Sequence, residues 1–148
     1  MNTPVDPLES VRAVITGLVH RTDAKRWAAL RELFAPQVTT DYTSLFGGTP
    51  QTQASEALVE SWRGALAHVT TQHLLGPIHV RLEGDSATAT CHVRAMHFAK
   101  GASGGEHWEV LGHYVFALGR SPDGFRIQHM TLQTLLQIGN RNLLAEAS

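Results

Sequence analysis

The sequence predicts an α+β fold: three N-terminal helices packed on a strongly curved, mainly antiparallel sheet. Three observations carry this. Apolar residues recur at helical spacing through roughly the first 66 positions. Four runs rich in Val, Thr, Ile and aromatic residues then follow. The separators between them, Glu83-Gly-Asp-Ser86, Lys100-Gly-Ala-Ser-Gly-Gly105 and Ser121-Pro-Asp-Gly124, are turn chemistry that pairs consecutive strands antiparallel. Helices first and a meander afterwards is an α+β layout. A sheet bent against the helices leaves a cone-shaped cavity between the two layers, so the expected architecture is a cone-shaped α+β barrel.

Asp6-Pro7-Leu8-Glu9 reads as a helix start, with Asp6 as N-cap, Pro7 in the first turn and Glu9 closing the capping box. Leu8, Val11, Ile15, Leu18 and Val19 supply its apolar stripe. Thr22 or Asp23 caps a second helix with Trp27, Leu30 and Phe34 on one face, and Pro36 ends it. Val38-Thr-Thr-Asp-Tyr42 suits a short strand, broken by Phe46-Gly-Gly-Thr-Pro50. A third helix runs from about Gln53 to Leu66, burying Leu58, Trp62 and Leu66. Gly76-Pro77 bends or bulges the first long strand, because proline cannot donate to a ladder.

The chain of 148 residues is one domain of ordinary size, able to bury about 68–70% of its unfolded surface. A formal charge of −1, with acids and bases interspersed, leaves no footprint for nucleic acid or anionic membrane. A single cysteine, Cys91, excludes an internal disulfide and fits a reducing compartment. With no apolar run near membrane-span length and no basic-then-apolar leader, a soluble cytoplasmic protein is expected.

Four polar residues fall where apolar or inward-facing neighbours are expected: Asp23, Tyr42, His73 and His97. Strand alternation puts Ala87, Ala89, Cys91, Val93 and Ala95 on one face, and His97 shares it. His73 shares a face with Thr71 and Leu75. Each has an ordinary structural reading: a core histidine bonded to a carbonyl, a capping aspartate, a buried phenol. Together they are enough for proton-transfer chemistry. The remaining histidines read as surface or sheet residues, with His113 and His129 as candidates for the cavity.

No metal site is expected. His92 and His97 lie on opposite faces of a strand; His73 and His79, like His107 and His113, share parity but stand roughly 20 Å apart along an extended strand. No helical His-x-x-x-His or cysteine cluster is present. Gly104-Gly105 is too short for a phosphate loop and does not join a strand to a helix, so no nucleotide cofactor is expected either.

The order of helices and curved sheet resembles the nuclear transport factor 2-like (SnoaL-like) superfamily over nearly the whole length, residues 1–148 forming a single such domain. Within it, the segment Asp23-Ala-Lys-Arg-Trp-Ala-Ala-Leu-Arg-Glu-Leu-Phe-Ala-Pro36, followed by Asp41-Tyr-Thr-Ser44, is similar to the opening region of the scytalone dehydratase branch. Thr71-Gln-His73 matches its Thr-Gln-His stretch, and His97 falls where its second catalytic histidine lies. The resemblance implies that Asp23 orients His73 as general base, that Tyr42 polarises a substrate carbonyl directly or through water, and that His97 binds substrate or protonates the departing hydroxyl. Thr22, Trp27, His113, Val115 and Thr131 are expected to contact substrate. Two departures stand out. The family's second carbonyl-polarising tyrosine is Thr22 here, and a substrate-contacting asparagine corresponds to Val115, with His113 near a family serine. Proton-transfer machinery is kept while recognition is changed, which implies a substrate other than scytalone.

The implied function is a cofactor-independent lyase, a dehydratase eliminating water from a small β-hydroxy carbonyl or polyketide-like substrate. Isomerisation or cyclisation through the same enolate, or non-catalytic binding of a small molecule, are the alternatives. A homo-oligomer is expected, a trimer by resemblance. The last strand, with Ile127, Met130, Leu132, Leu135 and Leu136, carries more apolar side chains than one face can hide.

Overall fold

Asp6 caps the first helix with its own carboxylate, which accepts the Leu8 N–H at 3.0 Å, and Pro7 occupies a first-turn position where no N–H is needed. In the computed structural model, which describes residues 3–148, this helix (α1) spans Pro7–Asp23. The first two positions of the expected 1–148 domain lie outside the described residues. The buried stripe of α1 is Val11, Val14, Ile15, Leu18, Val19 and Thr22.

Thr22 and Asp23 therefore end α1 rather than opening a second helix. The chain reverses at Lys25, whose φ is 55°, and the Arg26 N–H closes on the Arg21 carbonyl at 2.8 Å. The second helix (α2) is only Trp27–Arg31. Phe34 and Pro36, which the helical spacing assigns to it, lie in strand β1, Phe34–Asp41. The reason is tertiary: Phe34 sits opposite Ile127 of the final strand, and that pairing overrides a weak helical pattern. Pro36 falls in the interval between Phe34 and Thr39 where the ladder to the final strand is broken, so its missing N–H costs nothing there. A one-turn helix (α3, Thr43–Phe46) and a short strand (β2, Gln51–Ala54) follow, neither of which the sequence pattern predicted. Helix α4, Ser55–Ala65, buries Leu58 and Val59 and sets Trp62 edge-on to Phe34 at 5.8 Å.

The second half matches the expected meander. Gly76-Pro77 splits its first run into β3 (Thr70–Leu75) and β4 (His79–Glu83), both antiparallel to β5 (Ser86–Phe98). Strands β6 (His107–Ser121) and β7 (Gly124–Gly139) complete it. Among the described residues seven strands run β2-β1-β7-β6-β5-β3, with β4 also on β5; of these only β1 and β7 pair parallel, and the curved sheet does not close. This is the cone-shaped α+β fold, with α1, α2 and α4 as the three expected helices.

Two register shifts between β6 and β7 bend the long ribbon. At one, Ala117 faces His129 while Leu118 faces Ile127, which loops out Gln128 and reverses the parity of β7. Ile127, Met130 and Leu132 therefore all turn inward, although simple alternation would separate them. Leu135 and Leu136 stay exposed. Beyond β7, a last turn (α5, Leu143–Glu146) docks on the β5–β6 connection: Leu143 is fully buried, and the Glu146 carboxylate accepts the Gly104 N–H at 2.6 Å. Among the described residues no helix is long and apolar enough to cross a membrane.

The second register shift depends on Gly112, where an added Cβ would overlap the Gln133 carbonyl oxygen, a backbone atom that cannot move aside cheaply. Gly112→Ala should cost about 1–3 kcal/mol in urea unfolding. An unchanged midpoint would show that the ribbon relaxes freely at this point.

Candidate active site

The last residue of α1 reaches the free edge of the sheet. β3 is an edge strand, and its outward N–H groups have no ladder partner. Asp23 fills that gap. Its Oδ2 accepts the His73 backbone N–H at 2.9 Å; its Oδ1 accepts the Thr71 hydroxyl at 2.9 Å and stands 2.6 Å from His73 Nδ1. Burial works against the charge on Asp23, but the hydrogen bond and charge of His73 outweigh it, with the His73 N–H and Thr71 adding to them. The carboxyl is held below its ordinary value. An ionised carboxylate only accepts, so His73 Nδ1 carries the hydrogen, and in the neutral ring the lone pair is on Nε2.

His73 faces a cavity of about 330 Å³ between the helices and the inner face of the sheet. Its walls are Leu18, Val19 and Thr22 of α1, Trp62 of α4, Trp108, Val110 and Tyr114 of β6, and Met130 and Leu132 of β7, with Leu144 at the C-terminal turn. The few polar groups in so apolar a space fix how a ligand can lie.

His97 turns inward on β5, as strand alternation predicts, with its neighbours on that face buried. Its ring lies on Trp108 with centroids 4.4 Å apart and meets His73 edge-on at 6.2 Å. Its Nδ1 is 3.2 Å from the Trp108 carbonyl oxygen, which can only accept, so Nδ1 is the donor. Burial first, and the charge His73 carries when protonated second, push its pKa down to about 4. At neutral pH His97 is therefore a neutral ring whose Nε2 accepts hydrogen bonds.

Tyr42 stands just past the end of β1, at the start of α3 rather than within a strand, and its hydroxyl points to the Met130 thioether at 3.7 Å. Burial raises its phenol well above the ordinary value, so it is a neutral O–H donor.

The four residues singled out from sequence thus line or support one cavity: Tyr42, His73 and His97 line it, and Asp23 stands behind His73. Thr22 also lines it, with its own hydroxyl donated to the Leu18 carbonyl at 2.7 Å. The other expected contacts do not. Trp27 packs against the core from α2 and is not a wall of the cavity. His113, Val115 and Thr131 belong to the outer face of the sheet: His113 packs on His92 with centroids 4.8 Å apart, and Val115 lies opposite Thr131. His129 is exposed as well. The inward partner on β6 is Tyr114, opposite inward-facing Cys91. The signal was available: Trp108, Val110, Tyr114, Phe116 and Leu118 alternate against His113 and Val115, the same rule that placed His97. Among the described residues, no three His, Cys, Asp or Glu side chains are grouped to hold one metal ion.

An unclosed α+β cone enclosing an Asp–His pair and a mostly apolar cavity defines the class of protein. The chain belongs to the SnoaL-like domain family, whose model matches residues 5–131. Similar folds are seen in the Kfla4162 protein from Kribbella flavida, 24% identical over 94% of this chain and 97% of that one, with a TM-score of 0.88. An NTF2-like protein with a cystatin-like fold from Novosphingobium aromaticivorans is 25% identical over 87% of this chain and 82% of its own, TM-score 0.68. A protein from the same organism named "putative scytalone dehydratase" is 14% identical over 90% and 87%, TM-score 0.78. No curated protein matches the chain.

The depressed pKa of His97 sets an acid limit on stability. The unfolded ring binds a proton near pH 6.5 and the folded one only near pH 4, so the unfolded state holds more protons in that window and stability falls as pH drops through it. The loss from this group is at most about 3 kcal/mol. His97→Gln should flatten the pH dependence of the urea midpoint between those limits; a slope equal to wild type would mean that His97 is protonated in the fold.

Proposed function

We propose that the protein is a cofactor-independent hydro-lyase that removes water from a small β-hydroxy carbonyl compound, polyketide-like in character, with His73 as its base. The single observation that carries this is the 2.6 Å contact of His73 Nδ1 with Asp23, which leaves Nε2 as a lone pair at the cavity. In the reaction, Nε2 takes the proton next to the carbonyl, and the Asp23 carboxylate offsets the positive charge the ring gains. Tyr42 donates to the carbonyl oxygen as negative charge develops there. His97 accepts a hydrogen bond from a substrate hydroxyl and thereby orients it. The proton on His73 then goes to the departing β-hydroxyl, which leaves as water. One nitrogen serves both transfers, so proton and hydroxyl leave from the same face of the substrate. The shared fold of a protein named for scytalone dehydratase adds support to this reading.

A second reading is favoured by the neutral state of His97. With no separate acid there, the proton on His73 is equally placed to return to another carbon of the enolate, giving an isomerase or cyclase. Mass spectrometry of the product separates the two, since only the lyase product is lighter by one water.

With a panel of β-hydroxy ketones in heavy water, wild type should exchange deuterium at the acidic carbon and release water. His73→Ala and Asp23→Asn should lose roughly 10²–10⁴-fold in both rates while keeping the wild-type circular dichroism spectrum. Variants with undiminished exchange would remove His73 and Asp23 from the chemistry.

Self-association is part of the proposal. Leu74, Leu111 and Leu136 form one cross-strand row on the outer face with Arg94 between the first two, and Leu74 and Leu136 are exposed, as is nearby Ile138. Sedimentation should give an oligomer, with a trimer expected, and Leu136→Asp with Ile138→Asp should yield monomers. A wild-type monomer would contradict this.

A further inference from the structure

We propose that Tyr114 is a second catalytic donor, its hydroxyl closing with that of Tyr42 on the carbonyl oxygen of the substrate, so that the enolate is held by two phenols, one from the sheet and one from the start of α3. The proposal rests on the His73 reading above, and it adds a residue that neither spacing nor resemblance had assigned.

Tyr114 comes from the middle of β6 and Tyr42 from the start of α3, yet both line the same cavity. Tyr114 is 4% exposed. Among the described residues its hydroxyl has no hydrogen-bond partner, while no side-chain nitrogen or oxygen fully shut off from solvent lacks one. The Tyr114 oxygen therefore lies at the cavity surface with its donor unspent. Tyr42 is nearly in the same condition, since its one partner is a thioether, a weak acceptor 3.7 Å away. A phenol without an acceptor in an apolar cavity is costly, and a ligand oxygen placed between two such groups satisfies both. Burial raises the pKa of both phenols, and Tyr42 raises that of Tyr114 further. Both stay neutral donors at physiological pH.

The pair also accounts for Thr22. The side chain of Thr22 spends its hydroxyl on the Leu18 carbonyl and has no donor left for a substrate. Tyr114, entering from the sheet, supplies a phenol where α1 has none. The C–H pair next to the carbonyl becomes the new C=C bond and its proton goes to His73 Nε2. The C=O π pair moves to oxygen, where two O–H groups receive it. The pair then returns, the C–OH bond breaks, and the proton from His73 leaves with the hydroxyl as water.

The probe is 4-nitrophenol, whose absorbance distinguishes phenol from phenolate, with nitrobenzene as the same ring lacking the oxygen. Wild type should bind the phenolate form in preference to nitrobenzene. Tyr114→Phe and Tyr42→Phe should each weaken phenolate binding by roughly 10–100-fold and leave nitrobenzene binding within about two-fold. Turnover of a β-hydroxy ketone should fall in kcat more than KM rises in both variants. Equal phenolate affinity in wild type and Tyr114→Phe would overturn the proposal, as would a wild type that does not favour phenolate. A parallel loss of both probes in Tyr114→Phe would also overturn it, by making the residue merely structural. The His73 reading fails separately, through deuterium exchange that survives in His73→Ala, and that result leaves the Tyr114 measurements unaffected.

Discussion

One carboxylate ties the end of the first helix to the open edge of the sheet, and much of the site follows from that tie. Asp23 meets two residues of β3 at once, accepting a backbone N–H, a threonine hydroxyl and an imidazole N–H. The backbone bond stops up an edge strand that would otherwise expose its donors. The imidazole bond fixes the tautomer and orientation of His73. Structure and chemistry thus share the same two oxygen atoms. A helix ending one residue earlier, or a strand displaced by one position, would turn His73 away from the cavity.

The electrostatics of the cavity are unequal by construction. His73 has a carboxylate behind it, whereas His97 has a carbonyl, an indole face and a cation-forming neighbour. Two imidazoles 6.2 Å apart thus differ in character: one is backed by a carboxylate and the other is an uncharged acceptor at neutral pH. The phenols are neutral and keep an O–H to donate. These few polar groups in an apolar cavity constrain how a small ligand can lie there.

The fold was largely legible because its signals are local. The caps at Asp6 and Pro7, the hairpin separators and the bend at Gly76-Pro77 each act within a few residues. Failures came where distant pairing decided the outcome: β1 captured Phe34 and Pro36 from the helical pattern, and the looped-out Gln128 reversed the parity of β7. The site divides in the same way. His97 was placed inward by alternation alone. The partnership of Asp23 with His73, fifty positions apart, came from resemblance, since no spacing rule links a helix end to an edge strand. Resemblance also misled. Carrying substrate contacts onto His113 and Val115 selected the outer face, while the alternation on β6 already pointed to Tyr114.

Ionised Asp23 holds the neutral His73 ring as its Nδ1–H tautomer, so that in this ring the lone pair is on Nε2. Long-range ¹H–¹⁵N NMR of the imidazole nitrogens measures this directly. The account predicts a protonated-type shift for His73 Nδ1 and a lone-pair-type shift for Nε2 in the neutral ring, with Asp23→Asn losing that preference. A neutral His73 carrying its hydrogen on Nε2 would contradict it.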